Sequence, residues 1–297
     1  MIYEKVLKNP DKFNFEIEEV GKPDHPNPIK RNEYISDDER IAFSSQVINI
    51  MQQIESCEKI PSFEKAGMRG KLFHNPETTK AAIITCGGLC PGLNNVIKGL
   101  VSELEIEYGI RDIIGIRYGY LGLSKKSHHE PIALKLEYID QIHKQGGTVL
   151  GSSRGNQDPA DMVDQLVSRN VNILFCIGGD GTLKGARAIA EEIKRRELKI
   201  SIVGVPKTID NDLSFVEKTF GFETSVQVAS DIITSAYTEA KCAENGIGIV
   251  KLMGRDSGFI SASATLANSV VDFCLVPETQ FQLRGNGGLL KALEKRI

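Results

Sequence analysis

VNILFCIGGDGTLKGARAIAEEIKRR, residues 171–196, changes its period halfway along. Val171–Ile177 is almost unbroken apolar, short and rich in β-branched residues, which predicts a strand covered on both faces, as in a parallel sheet. Gly178, Gly179, Asp180, Gly181 and Thr182 follow at once. From Leu183 the pattern turns helical, with Ala186, Ile189, Ala190 and Ile193 on one face. A glycine turn thus joins the carboxyl end of a buried strand to a helix amino terminus. Free backbone N–H groups and the positive end of the helix dipole attract phosphate at such a point. The glycines let a phosphate chain lie against the backbone with no Cβ in the way. Asp180 is the odd residue, because a carboxylate repels polyphosphate unless a divalent cation lies between them. Strand, GGDGT and helix therefore point to Mg²⁺-phosphate binding. The stretch is not a P-loop, and Lys184 stands where a dinucleotide fingerprint needs its third glycine. The alternative is a tight strand-to-helix turn with a solvated Asp180.

The same alternation extends outward. Lys80–Thr85 is a short apolar strand running into CGGLCPGLNN and a helix over 94–107. Strands follow at 112–116 and 148–155, the latter ending in a small-residue loop with Arg154 at its tip. Between them 136–145 reads as a helix, and Asp158-Pro159 is a strong helix start. Residues 199–205 form another buried strand, ending in PKTIDND, 206–212. A long amphipathic helix is predicted over 223–245, strands at 247–252 and 271–277, a helix from Phe259 and a last helix from Leu289. This order predicts an α/β fold, mostly parallel sheets with helices on both faces, and a ligand site at the carboxyl ends of the strands. Residues 1–78 are polar and proline-punctuated and read as an irregular arm, with one helix within 37–57. The remainder divides into a nucleotide-phosphate-binding domain over 79–221 and the start of a second α/β domain over 222–297.

Composition narrows the class. The 297 residues are 41% hydrophobic and 25% charged, ordinary for a globular protein. A net charge of −3 without a dense basic run argues against nucleic acid as the main partner. No apolar run reaches membrane-spanning length, and the acidic start has no secretory h-region. The six cysteines read as reduced cytosolic thiols, with Cys176 and Cys274 as small buried hydrophobes.

Two loops carry further chemistry. PKTIDND places Thr208, Asp210 and Asp212 after a strand, where a carboxylate could take a proton from a substrate hydroxyl attacking a phosphoryl group. The alternative is a turn that hydrogen-bonds its own backbone. MGRDSG, 253–258, offers Arg255 to a phosphate or, equally, to its neighbour Asp256. His128 and His129 lie in a polar loop and are assigned no chemistry.

GGLCPGLN at 87–94, GGDGT, PKTIDND and MGRDSGF, in this order and spacing and followed by VDFCLVPE, resemble the phosphofructokinase family. The similarity covers about residue 60 to the end and is closest to its long ATP-dependent group. It implies phosphorylation of fructose 6-phosphate by ATP with Mg²⁺, in a cytoplasmic homo-oligomer, dimer or tetramer. Gly88, Arg154, Gly155, Gly179, Asp180, Gly181 and Thr182 then line the nucleotide phosphates, and Asp180 holds the metal. Asp210 corresponds to the proton acceptor, with Thr208 and Ile209 at the substrate and Met253, Gly254 and Arg255 on the sugar phosphate. Donor choice in the family follows two positions. Pyrophosphate-dependent members carry Asp where this chain has Gly181, and Lys at Lys207, so the signature is mixed. Gly181 carries more weight, because an Asp there would intrude on the α-phosphate. The family also implies a further half-domain beyond residue 297, leaving the second domain incomplete, and Gly246 stands where short bacterial enzymes carry an Arg. A pyrophosphate-dependent enzyme, a kinase for another acceptor and an inactive nucleotide-binding or regulatory fragment are the alternative expectations.

Overall fold

In a computed structural model of the chain, residues 2–9, 12–31, 33–56, 60–155 and 157–297 are described. They form two compact units, the first built from 1–87 and 94–205, the second from 88–93 and 206–297.

The arm at the start of the first unit carries helix α1 (Ile2–Lys8), strands β1 (His25–Pro26) and β2 (Arg40–Ala42), helix α2 (Val47–Ser56), and strands β3 (Ser62–Glu64) and β4 (Lys71–Leu72). β1 pairs with β4 and β2 with β3, both antiparallel. The helix expected within 37–57 is thus confined to its second half, and Cys57 lies outside the described residues.

The core of the first unit is a five-stranded sheet of order β7-β6-β5-β8-β9. Its members are β5 (Lys80–Thr85), β6 (Asp112–Gly115), β7 (Ile132–Ala133), β8 (Ile173–Gly178) and β9 (Ser201–Pro206). β5 runs parallel to β6 and β8, and β7 is an antiparallel edge on β6. Ala81, Ala82, Ile83 and Ile84 of the central strand are fully buried on both faces, as a parallel sheet between helices requires. Helix α3 (Leu93–Ser102) follows β5 and ends in a π-helical turn at Glu103–Glu107. A short α4 (Leu136–Ile139) and a 3₁₀ turn replace the single helix expected over 136–145. Helix α5 (Pro159–Ser168) begins as the sequence demands, with Asp158 Oδ1 accepting from Ala160 N at 2.9 Å and proline in the first turn. Helix α6 (Asp180–Arg195) packs Ile189 and Ile193 against Leu174, Cys176, Met162 and Leu166.

Two further expectations for this unit fail. Residues 148–155 are not a strand: Gly151 takes φ +67°, Gly151 N bonds back to Thr148 O, and the segment crosses the end of β5 as a loop. β9 is not a buried strand either. It is the last strand of the sheet, and Val203 is 39% exposed.

The second unit is built on helix α7 (Phe222–Lys241), packed on helix α8 (Phe259–Ala267), with a short α9 (Leu289–Glu294) near the end. Ala229, Ile233 and Ala264 form its core, covered by Val226, Val250, Leu252, Val270 and Val271. The segments 247–252 and 271–277, expected as strands, have no ladder partner among the described residues and are irregular. Val250 and Leu252 do face the helices while Ile249 is 87% exposed, so the side chains alternate as in a strand. Alternation sets which way residues face, but a strand also needs a hydrogen-bonded neighbour. Cys274 is exposed on this irregular segment rather than buried, whereas Cys176 is buried in β8.

Candidate active site

In the first unit, three loops converge at the carboxyl ends of β5 and β8. Cys86 N donates to Ile177 O at 2.9 Å, Gly87 N to Ser153 O at 3.1 Å, and Ser152 Oγ to Gly87 O at 2.6 Å. Thr85 Oγ1 donates to Gly151 O at 2.7 Å. The segment leading into Arg154 and Gly155 is thereby pinned beside the strand ends, with the Arg154 side chain exposed.

GGDGT is built differently from expectation in one respect. Helix α6 begins at Asp180, three residues earlier than the change of period at Leu183. Gly179 is its extended N-cap residue, and its carbonyl accepts from Thr182 N at 2.9 Å and Leu183 N at 3.0 Å. Asp180, Gly181 and Thr182 therefore form the first helical turn, where the Asp180 and Gly181 N–H groups lie ahead of the first helical hydrogen bond and the dipole favours an anion. A Cβ on Gly181 or on Gly155 would meet nothing within 4 Å, so open space lies beside both. Thr182 is buried, and its carbonyl accepts the Tyr120 hydroxyl at 2.6 Å. Gly185 makes room for that ring, since a Cβ there would stand 2.6 Å from Tyr120 Cε2. Burial pushes the Tyr120 phenol well above its ordinary range, so it remains a donor.

Asp180 itself is 73% exposed and paired with Lys184 Nζ at 2.7 Å, one turn on. Among the described residues no group of three or more His, Cys, Asp or Glu is placed to hold a metal. One exposed carboxylate beside an anion site nevertheless suits Mg²⁺, which is commonly held by one or two carboxylates plus substrate phosphates and water.

The second unit holds the other candidate residues. Gly88 belongs here, and its carbonyl accepts Lys207 Nζ at 2.7 Å, with Lys207 only 6% exposed. The PKTIDND loop folds on itself: Asp210 N donates to Thr208 Oγ1 at 3.1 Å, and Thr208 Oγ1 donates to Asp212 Oδ1 at 3.0 Å. Asn211 sits at φ +55° and its Oδ1 accepts from Thr219 N at 2.7 Å. The Asp210 carboxylate takes no part in these turn bonds. It is half-buried beside Ile209, and burial first, then the negative charge of Asp212, raises its pKa. Lys207 and a hydrogen bond from the Arg255 backbone act the other way. Ser257 Oγ donates to Asp210 O at 3.2 Å. Met253 is 62% exposed, and Gly254 turns the chain at φ +123°. Arg255 extends into solvent, 91% exposed, with Nε 3.5 Å from the Asp256 carboxylate. Both readings of MGRDSG thus survive together, since a pair this exposed is weak and leaves the guanidinium available to an anion.

Sequence reasoning missed Tyr120 and Ser257. Each acts through a backbone carbonyl far along the chain, 62 and 47 residues away, and no local pattern marks such a pairing.

The profile of the phosphofructokinase family matches residues 80–297. A curated relative from Borreliella burgdorferi, named ATP-dependent 6-phosphofructokinase, is 45% identical over 98% of this chain and 66% of its own length. One of the same name from Entamoeba histolytica is 53% identical over 72% of this chain and 49% of its own length. The chain thus spans about half to two-thirds of the length of these relatives. Among solved structures, phosphofructokinase from Pichia pastoris superposes with a TM-score of 0.62, at 26% identity, over 73% of this chain and 24% of its own. A shared fold, a family match over most of the sequence and identities near one-half in the relatives lead to one assignment: the chain belongs to the phosphofructokinase family.

Proposed function

We propose that this chain carries the ATP-dependent 6-phosphofructokinase activity for which its relatives are named, transferring the γ-phosphoryl group of ATP to the 1-hydroxyl of fructose 6-phosphate. The observation that carries this reading is Asp210. Its carboxylate stands clear of the turn that holds its backbone, half-buried and with a raised pKa. A carboxylate of raised pKa is a better proton acceptor, and such positioned acid–base help is worth about 10²–10⁴-fold.

Asp210 removes the hydroxyl proton as the 1-oxygen attacks the γ-phosphorus. The bond from that phosphorus to the β,γ-bridging oxygen breaks, and ADP leaves with the electron pair. Thr208, Ile209, Met253 and Gly254 orient the sugar, and Arg255 pairs with its 6-phosphate. Gly88, Arg154, Gly155 and the first turn of α6, Gly179 to Thr182, take the nucleotide phosphates through backbone donors, one guanidinium and the helix dipole. Asp180 would hold Mg²⁺, which supplies charge neutralisation across the phosphates when bound.

Pyrophosphate as donor is the second reading, and Lys207 is the residue that favours it. The Lys207 ammonium is buried on the Gly88 carbonyl, where it acts as a clamp within the second unit whichever donor binds. Open space beside Gly181 supports ATP, whose α-phosphate needs room there.

A coupled assay for fructose 1,6-bisphosphate with ATP or pyrophosphate tests the reading. ATP-dependent turnover that falls by about 10² or more in Asp210→Asn, with ATP affinity retained, is the expected result. Turnover with pyrophosphate alone, or near-normal turnover in Asp210→Asn, would overturn it.

A further inference from the structure

The MGRDSG loop touches the proton acceptor at two points. The Ser257 hydroxyl donates to the Asp210 carbonyl at 3.2 Å, and the Arg255 backbone N–H favours the charged form of the Asp210 carboxylate. Ser257 is 6% exposed, so this hydroxyl has lost its water and the bond replaces it. The loop is shaped for the contact. Gly254 stands at φ +123°, and a Cβ there would lie 2.2 Å from the Ser257 carbonyl oxygen, so the backbone folds tightly back over itself between Gly254 and Ser257. Gly258 fixes the far side, its N–H donating to both oxygens of Glu278 at 2.8 and 3.1 Å at the start of α8. Ser257 thus joins a loop anchored on a helix start to the backbone of Asp210.

From this geometry we infer that Ser257 is a positioning residue for the proposed phosphoryl transfer: its hydroxyl fixes the Asp210 backbone so that the carboxylate meets the Arg255 N–H on one side and the acceptor hydroxyl on the other. The inference rests on the role proposed for Asp210. The charged groups that act on the Asp210 carboxylate are Asp212, which raises its pKa, and Lys207, which lowers it. Losing the Ser257 bond loosens the Arg255 N–H contact, which favours the charged carboxylate. The Asp210 pKa then rises.

The test compares the unmutated chain with Ser257→Ala, which deletes the hydroxyl, and Ser257→Cys, which keeps its volume but donates weakly. Carboxyl ¹³C NMR titration of Asp210 reads the geometry without turnover. Both variants are expected to raise its pKa, and in the coupled assay to lower kcat by about tenfold with KM for fructose 6-phosphate within about twofold. An Asp210 titration unchanged in both folded variants would overturn the inference, leaving Ser257 a packing residue. A rise in both, in a chain that turns over no fructose 6-phosphate, would uphold the positioning and count against the proposed reaction. A rise in Ser257→Ala alone would mean that volume, not the donated hydrogen bond, holds Asp210, and this too would overturn it.

Discussion

Strands 80–85 and 173–178 in the first unit and segments 247–252 and 271–277 in the second have similar sequences and different fates. KAAIIT and ILFCIG pair along five residues, and Ile83, Ile84 and Leu174 are wholly buried. GIVKL and VDFCLVP keep the same apolar richness, yet they pair with nothing among the described residues, and Ile249 is 87% exposed. Apolar pattern fixes which side of a segment seeks the core. Ladder formation requires a second backbone at the right distance, and that is a property of the whole fold. The first unit consequently has a large closed core on its sheet, while the core of the second rests on one helix pair.

The largest contrast should appear in amide hydrogen exchange. Amides of β5 and β8 exchange through global opening and are expected to be slowed by about 10⁴-fold or more, as an opening cost of about 5 kcal/mol or more implies. Amides at 247–252 and 271–277 are expected to exchange near the unprotected rate. Equal protection in the two sets would erase the comparison.

Truncation of side chains sharpens it. Ile84→Ala removes a fully buried side chain from the sheet and should cost about 2–5 kcal/mol. Leu266→Ala, at a side chain 89% exposed on α8, should change stability by no more than about 0.5 kcal/mol. Denaturant titration of both variants checks the pair, and a cost at Leu266 as large as at Ile84 would show that the second unit is packed against something.

The smallest effect concerns acid. Asp164 is held down to about 2, first by Lys125 and then by Arg196, and Glu192 to about 2 by Arg195 and Arg196. Both folded pKa values lie below the ordinary carboxylate range. Their support, for α6 through Glu192 and for the α5–α6 pair through Asp164 and Arg196, is therefore present above about pH 4 and lost as pH falls toward 2. The Asp164 side chain is 41% exposed, so its share of the loss should be small and reduced by salt. Thermal melts between pH 5 and 2.5, compared for the unmutated chain and Asp164→Asn, test this. A melt of Asp164→Asn that falls with pH as steeply as the parent's would remove Asp164 from the effect.

Much of the first unit was legible because its signals are local. Lys80–Thr85 is a strand to the residue, and Asp158 caps α5 with the proline in place. The hydrophobic period places the start of α6 three residues late, because glycines hide a helical turn from it while Gly179 serves as the cap. The loop at 148–155 reads as a strand from its apolar start, and nothing in that start marks the positive φ of Gly151. In the site, motif spacing named the groups but not their couplings. Lys207 on Gly88, Tyr120 on Thr182 and Ser257 on Asp210 each join residues far apart in sequence.

The central claim is that the open first turn of α6 accepts the phosphate chain of ATP. Titration calorimetry of Mg²⁺-ATP and of Mg²⁺-pyrophosphate against the unmutated chain and Gly181→Asp tests it most directly. A carboxylate placed in the open space beside Gly181 should cost ATP about 1–4 kcal/mol of like-charge repulsion, about fivefold or more in affinity, and should cost pyrophosphate less. Unchanged ATP affinity in Gly181→Asp, or binding of pyrophosphate without ATP in the unmutated chain, would contradict the account.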